Sequence, residues 1–145
     1  MENNLGIRKY LIATHGKLAG GVKSSLEIIT GAMDNVFLIE AYVNENRPLE
    51  DDIKVILAQI DKNDELIVFS DILGGSVTNQ LLQYAHQSNV HIVSGFNLPL
   101  VIEVVLADAG TPADELIANA IDNAKQQMVY VNKLLTMQSK DEEND

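Results

Sequence analysis

A chain of 145 residues, 46% hydrophobic and 21% charged, has the size and composition of one globular domain with its own core. Its formal net charge of -11 at pH 7 argues against non-specific nucleic-acid binding, which needs a basic surface, and favours partners with a basic face. The absence of cysteine excludes disulfides, thiol catalysis and thiolate metal sites, and suits a reducing cytoplasm.

The opening stretch MENNLGIRKY lacks a basic region followed by an apolar run, so it does not read as a secretory signal. No apolar run approaches the roughly 18 residues of a membrane span. Residues 1–9 are expected to form a polar tail. Tyr10–Thr14 reads as a buried strand that stops abruptly at His15 and Gly16. Val22, Leu26, Ile29 and Met33 then recur at helical spacing. Val36–Val43 is a second strand, and Ile53, Ile56, Leu57 and Ile60 form a second helical stripe with Pro48 near its start. Glu65–Ser70 is a third strand, followed by a stripe of Val77, Leu81, Leu82 and Ala85. Val90–Ser94 is a fourth strand. The apolar run LPLVIEVVLADAG fits either period, and Pro99 together with its length favours helix. Thr111 is predicted to cap the next helix, whose apolar face is Leu116, Ala120, Ile121 and Ala124. Met128–Asn132 reads as a short last strand, which closes a domain over residues 10–132. Residues 133–145 are expected to be a frayed acidic tail.

Near-continuous apolar strands alternating with helices predict an α/β fold: an open, doubly wound, mostly parallel sheet with helices on both faces. Ligands of such sheets gather beyond the carboxyl ends of the strands, near the switch in strand order. The residues standing there are Thr14, His15 and Gly16; Asn44 and Glu45; Ser70–Asn79; and Ser94–Pro99. If the first and third strands are neighbours, His15 meets Asp71. A carboxylate on one ring nitrogen fixes the tautomer and frees the other as nucleophile or base. Gly74 and Gly75 let the backbone approach a ligand, and Ser76 is placed to cap the following helix, whose free N–H groups favour an anion. Together these describe a site for a phosphate carried on His15.

Taken singly, each feature has a plainer reading. A lone histidine after a strand is most often a turn residue, Asp71 alone is an ordinary loop carboxylate, and Gly74–Gly75–Ser76 alone is common turn chemistry. Their conjunction at neighbouring strand ends raises the site reading above these. His86 and His91 read as surface residues. No phosphate-loop, nucleophile-elbow or dinucleotide fingerprint is present, and no cluster has metal-ligand spacing, so no cofactor or metal is expected.

ATHG, VFSDILGGSVTN and VSGFNLPLVIEV, in this order, resemble the mannose-type enzyme IIA of the bacterial phosphoenolpyruvate-dependent sugar phosphotransferase system. The resemblance implies a flavodoxin-like, homodimeric fold whose last strand lies antiparallel at the sheet edge and is exchanged between subunits, with Met128–Asn132 in that place. It implies that His15 accepts a phosphoryl group from the phosphocarrier HPr and passes it to a IIB component, here a separate protein. IIB then phosphorylates the sugar at the membrane components IIC and IID, which the chain meets only indirectly. Asp71 would orient the ring, Ser76 within the Gly74–Gly75 loop would contact the phosphate, and Thr14 would add a hydroxyl. The loop Gly95–Pro99 would support the pocket. Three other readings compete: the phosphotransfer subunit of a dihydroxyacetone kinase, a flavodoxin-like regulatory or binding module, and a hydrolase using His15 and Asp71. His15–Gly16 and Gly74–Gly75–Ser76 favour the sugar branch over the first. The second lacks an acidic cluster or nucleotide loop, and the third lacks a nucleophile.

Overall fold

The computed structural model describes residues 6–31 and 33–143. Four strands, β1 (Arg8–His15), β2 (Val36–Ala41), β3 (Glu65–Ser70) and β4 (Val90–Ser94), form one sheet in the order β2-β1-β3-β4. Every pairing is parallel. The chain runs from β1 to one side, then returns across β1 to pair β3 on the other. The switch point therefore lies between β1 and β3.

The predicted helices appear as α1 (Leu18–Thr30), α2 (Leu49–Leu57), α3 (Ser76–Leu81), α4 (Leu98–Leu106) and α5 (Ala113–Gln126). Side chains alternate across the sheet, and the two faces collect separate cores. Tyr10 and Ile12 of β1 and Ile67 and Phe69 of β3 pack with α1, α4 and α5. Leu11 and Ala13 of β1 and Leu66 and Val68 of β3 pack with α2 and α3. Both faces are covered, which is why the central strands read as unbroken apolar runs.

Local differences from the sequence reading have identifiable causes. In α1 the third buried position is Ala19, whereas Ile29 is exposed. The Val77–Ala85 stripe ends early: α3 gives way to a 3-10 turn at Leu82–Tyr84, and Leu82 is exposed. Thr111 does not cap α5. The cap position is Pro112, and the Thr111 carbonyl accepts from the Arg8 guanidinium. Arg8 and Lys9 belong to β1, so the first strand takes up part of the expected tail, of which residues 1–5 lie outside the described residues.

The carboxyl-terminal reading changes most. Met128–Asn132 is not a strand: residues 128–130 pair with no described strand, and Val131 opens α6 (Val131–Glu143). The expected tail is therefore helical as far as Glu143, with residues 144–145 outside the described set. Met128, Val129, Tyr130, Val131, Leu134, Leu135 and Met137 are all exposed. An antiparallel edge strand needs a partner strand, and β4 of the same chain does not supply one.

At the amino-terminal edge of the sheet, buried Asp64 ties three segments together. Its carboxylate accepts from the Ile7 amide (3.0 Å), the Asp61 amide (2.9 Å) and the Lys9 ammonium (2.7 Å). The Lys9 hydrogen bond leads these in holding the carboxyl down at about 2, against an ordinary 3.8. A depressed folded-state pKa stabilises the fold above the unfolded value and loses that contribution as acid protonates the folded group. Resistance to urea unfolding is therefore expected to fall as pH drops from about 4 towards 2. Asp64→Ala should remove that acid-sensitive part and cost about 1–3 kcal/mol at neutral pH, because it leaves buried donors unpaired.

Candidate functional site

The strand register decides what stands at the carboxyl edge. Ala13 pairs with Ser70, so the residues just beyond, His15 and Asp71, leave their strands side by side. One carboxylate oxygen of Asp71 takes both the His15 amide (2.8 Å) and the ring Nδ1 (2.8 Å). The other accepts from the Ile72 amide (3.0 Å). The Asp71 side chain is 8% exposed and that of His15 39%. Burial pushes the Asp71 carboxyl upward, but the hydrogen bonds and charge of His15 together outweigh it, and the net shift is downward. An ionised carboxylate only accepts, so Nδ1 carries a proton and Nε2 of the neutral ring presents its lone pair outward.

Side-chain alternation gives each neighbour its place. Tyr10, Ile12 and Thr14 face α1; Leu11, Ala13 and His15 face the opposite side, where α3 begins. His15 Nε2 accordingly lies 3.3 Å from Ser76 Oγ. Thr14 is fully buried, and its hydroxyl accepts from the Ala19 amide at 2.9 Å. It secures the start of α1 and is turned away from the histidine, so the expected hydroxyl contribution from Thr14 is corrected. Ser76 is not a cap either: Gly75 holds the cap position, no side chain caps α3, and Ser76 is the first helical residue. Its hydroxyl is thereby free to face the ring.

The loop from Ser70 to Ser76 is fixed from below. The Thr78 hydroxyl donates to the Ile72 carbonyl (2.7 Å) and shares a 2.8 Å bond with Ser70 Oγ. Asn79 reaches the Gly74 carbonyl at 3.2 Å. Gly74 sits at φ +80°, which glycine adopts without penalty. Gly75 serves a different need. A Cβ there would stand 3.2 Å from the Ile72 carbonyl oxygen and 3.4 Å from His15 Cε1. Gly75 is thus the glycine that leaves room beside the ring. A Cβ on Gly16 would meet nothing within 4 Å, and its φ of +60° is what requires glycine.

The Gly95–Pro99 loop supports the edge from the far side. The Gly95 amide donates to the Ser70 carbonyl (2.9 Å). Asn97 caps α4 by accepting from the Leu100 amide (3.0 Å) and donates to the Ala124 carbonyl of α5 (2.9 Å). His86 is exposed in the turn before β4. His91 is half-buried in β4, 3.7 Å from Glu65. Among the described residues no group of three or more histidine, aspartate or glutamate side chains could hold a metal ion. No helix among the described residues is long and apolar enough to cross a membrane.

Tyr42 completes the site, and the sequence reading did not include it. Its hydroxyl lies 2.7 Å from Ser76 Oγ, and its ring centre is 5.7 Å from that of His15. Tyr42 has φ +67°, alone among the described non-glycine residues. The available signal was position: Tyr42 directly follows β2, the strand next to β1, at the same carboxyl edge. The sequence reading extended β2 through Val43 and so hid the turn.

The two glycines make separable predictions. Gly16→Ala should lower stability by about 1–2 kcal/mol in denaturant unfolding, since it forces a left-handed alanine. Gly75→Ala should shift the His15 ring resonances by NMR, because the added methyl would stand 3.4 Å from Cε1.

The family model for the PTS system fructose IIA component, EIIA-man, matches residues 9–121. The chain is 27% identical over 119 residues, 80% of its length, to the PTS system mannose-specific EIIAB component of Escherichia coli (strain K12). It spans 37% of the length of that relative. A Klebsiella pneumoniae structure, provisionally assigned as a phosphoenolpyruvate-dependent sugar phosphotransferase system permease, superposes with a TM-score of 0.86 at 33% identity, covering 93% of this chain and 98% of that one. The PTS IIA protein associated with the fucose utilization operon of Streptococcus pneumoniae superposes at 0.76 with 26% identity, covering 90% and 97%. With the fold, the strand-end site and a family match across most of the chain in agreement, this protein belongs to the mannose/fructose EIIA family of the sugar phosphotransferase system.

Proposed function

We propose that His15 carries a phosphoryl group in transit, taking it from phospho-HPr and giving it to a IIB component. The observation that carries this reading is the divided imidazole: Nδ1 is held by Asp71 at 2.8 Å while Nε2 faces the Ser76 hydroxyl at the exposed edge. As the donor's P–N bond breaks, a P–N bond forms to Nε2, whose lone pair supplies the electrons; the donor nitrogen recovers its own pair. The Nδ1 proton stays between ring and carboxylate. The phosphorylated ring is then cationic, and Asp71 stabilises it by charge and hydrogen bond. Transfer to the acceptor reverses these changes. Such transition states are loose, so positioning and charge stabilisation supply most of the rate.

Ser76 donates to a phosphoryl oxygen, and the uncapped first turn of α3 adds N–H groups nearby. The Gly74–Gly75 backbone forms the floor of the site. Thr14 acts one layer below, by holding α1. The sugar is not bound here, so its class (mannose, fructose, sorbose, an amino sugar or gluconate) is set by the IIB and membrane components. The working compartment is the cytoplasm.

We also propose a homodimer in which the segment from Met128 to Asn132, whose last two residues open α6 in the single chain, unwinds there and lies along the β4 edge of the partner subunit. The exposed apolar side chains from Met128 to Met137, and a β4 edge that no described strand pairs, support it.

Labelled phosphoenolpyruvate with enzyme I and HPr is expected to mark the wild-type protein with acid-labile phosphate. His15→Ala should take up none, and label persisting there would overturn the assignment. Asp71→Asn should transfer at least about tenfold more slowly with its circular dichroism unchanged, the loss expected for one charge-assisted hydrogen bond. In light scattering the chain should have about twice its 15.9 kDa mass, and truncation before Met128 should return it to a monomer.

A further inference from the structure

Tyr42 stands at the site with a geometry that its fold position alone does not explain. It follows β2, where any turn former would serve, yet it is a bulky aromatic residue held at φ +67°. That conformation is disfavoured for an L-residue, because Cβ crowds the following carbonyl oxygen. Strained residues persist where the surroundings over-determine them, and they cluster at functional sites. What the turn achieves is to present the phenol at the carboxyl edge. There it reaches Ser76 Oγ at 2.7 Å and sets its ring beside His15.

The proton order along these contacts follows from chemistry. Asp71 only accepts, so it takes the Nδ1 proton of His15. Nε2 then has a lone pair and can only accept, so Ser76 donates its hydroxyl proton to it. Ser76 Oγ keeps acceptor capacity, and the Tyr42 phenol donates to it. The chain runs Tyr42 to Ser76 to His15 to Asp71, with every proton assigned once. The Ser76 hydroxyl has no other hydrogen bond among the described residues. Without the phenol only the longer 3.3 Å contact to Nε2 holds its hydroxyl.

We infer that Tyr42 is a positioning residue for phosphoryl transfer: its hydroxyl locks the Ser76 hydroxyl over Nε2 of His15. This rests on the reading of His15 as the phosphate carrier. When the phosphoryl group occupies Nε2, the lone pair is gone and the Ser76 proton turns to a phosphoryl oxygen. The Tyr42 bond still holds Oγ in place, so the donor stays within reach of the charge that develops. No covalent bond to Tyr42 or Ser76 forms or breaks.

The test has a resting-state arm and a transfer arm, both on the full chain. In nitrogen-15 NMR of the unphosphorylated protein, the His15 Nε2 resonance reports the hydrogen bond to its lone pair. Tyr42→Phe keeps the ring and the backbone demand and removes only the hydroxyl. It should move Nε2 in the same direction as Ser76→Ala, and the double variant should match Ser76→Ala. Labelled transfer from phospho-HPr should slow about fivefold in Tyr42→Phe, within the worth of one neutral hydrogen bond. In the Ser76→Ala background the same change should have little further effect, since the two residues act as one unit. An unmoved Nε2 resonance, a wild-type transfer rate in Tyr42→Phe, or multiplying single effects would each overturn the role of Tyr42. A wild-type protein that takes no phosphate on His15 would instead overturn the carrier reading, and the NMR arm would still decide the positioning.

Discussion

The whole site depends on one carboxylate oxygen. Asp71 Oδ2 receives the His15 backbone amide and the His15 ring together, so main chain and side chain of the histidine are locked by a single acceptor. The backbone bond fixes where β1 ends; the ring bond fixes the tautomer. Burial alone would drive this carboxyl towards neutrality, and it stays ionised because the histidine repays the desolvation. Removing the ring's partner would therefore disturb the strand end as well as the chemistry.

That pairing is available because of topology. Parallel strands in the order β2-β1-β3-β4 put all four carboxyl ends on one edge, and the reversal of direction at β1 opens a crevice between the loops after β1 and β3. Alternation then sorts neighbours by face. His15 goes to the α3 side with Ser76, and Thr14 goes to the α1 side with Ala19. One residue of separation along a strand is enough to move a hydroxyl from the site into the core.

Much of this was legible in the sequence. The apolar runs, their helical partners and the parallel α/β class could be read because both faces of the sheet are covered, which leaves strong periodic signals. His15, Asp71 and Ser76 could be named because a strand end is a predictable place for chemistry. The errors fall where local pattern underdetermines the outcome. Thr111 looked like a cap, but Pro112 already holds the extended conformation that opens α5. Met128–Asn132 has the composition of a strand, yet a strand exists only when another edge pairs with it. Tyr42 was passed over because its neighbours continue the apolar run of β2, and a single left-handed residue leaves no periodic trace.

The sequence by itself determined the class of fold, the family and the three side chains that meet at the switch point, since these follow from periodicity and from short-range residue order. Tertiary structure decided which atoms of those side chains touch, that Gly75 makes room for the ring, that Thr14 faces away, and that Tyr42 joins the group. The physical reason is distance along the chain. His15 is separated from Asp71 by 56 residues and from Ser76 by 61, and Tyr42 from Ser76 by 34. Contacts at such separations are set by strand register and side-chain direction, which only the packed sheet fixes.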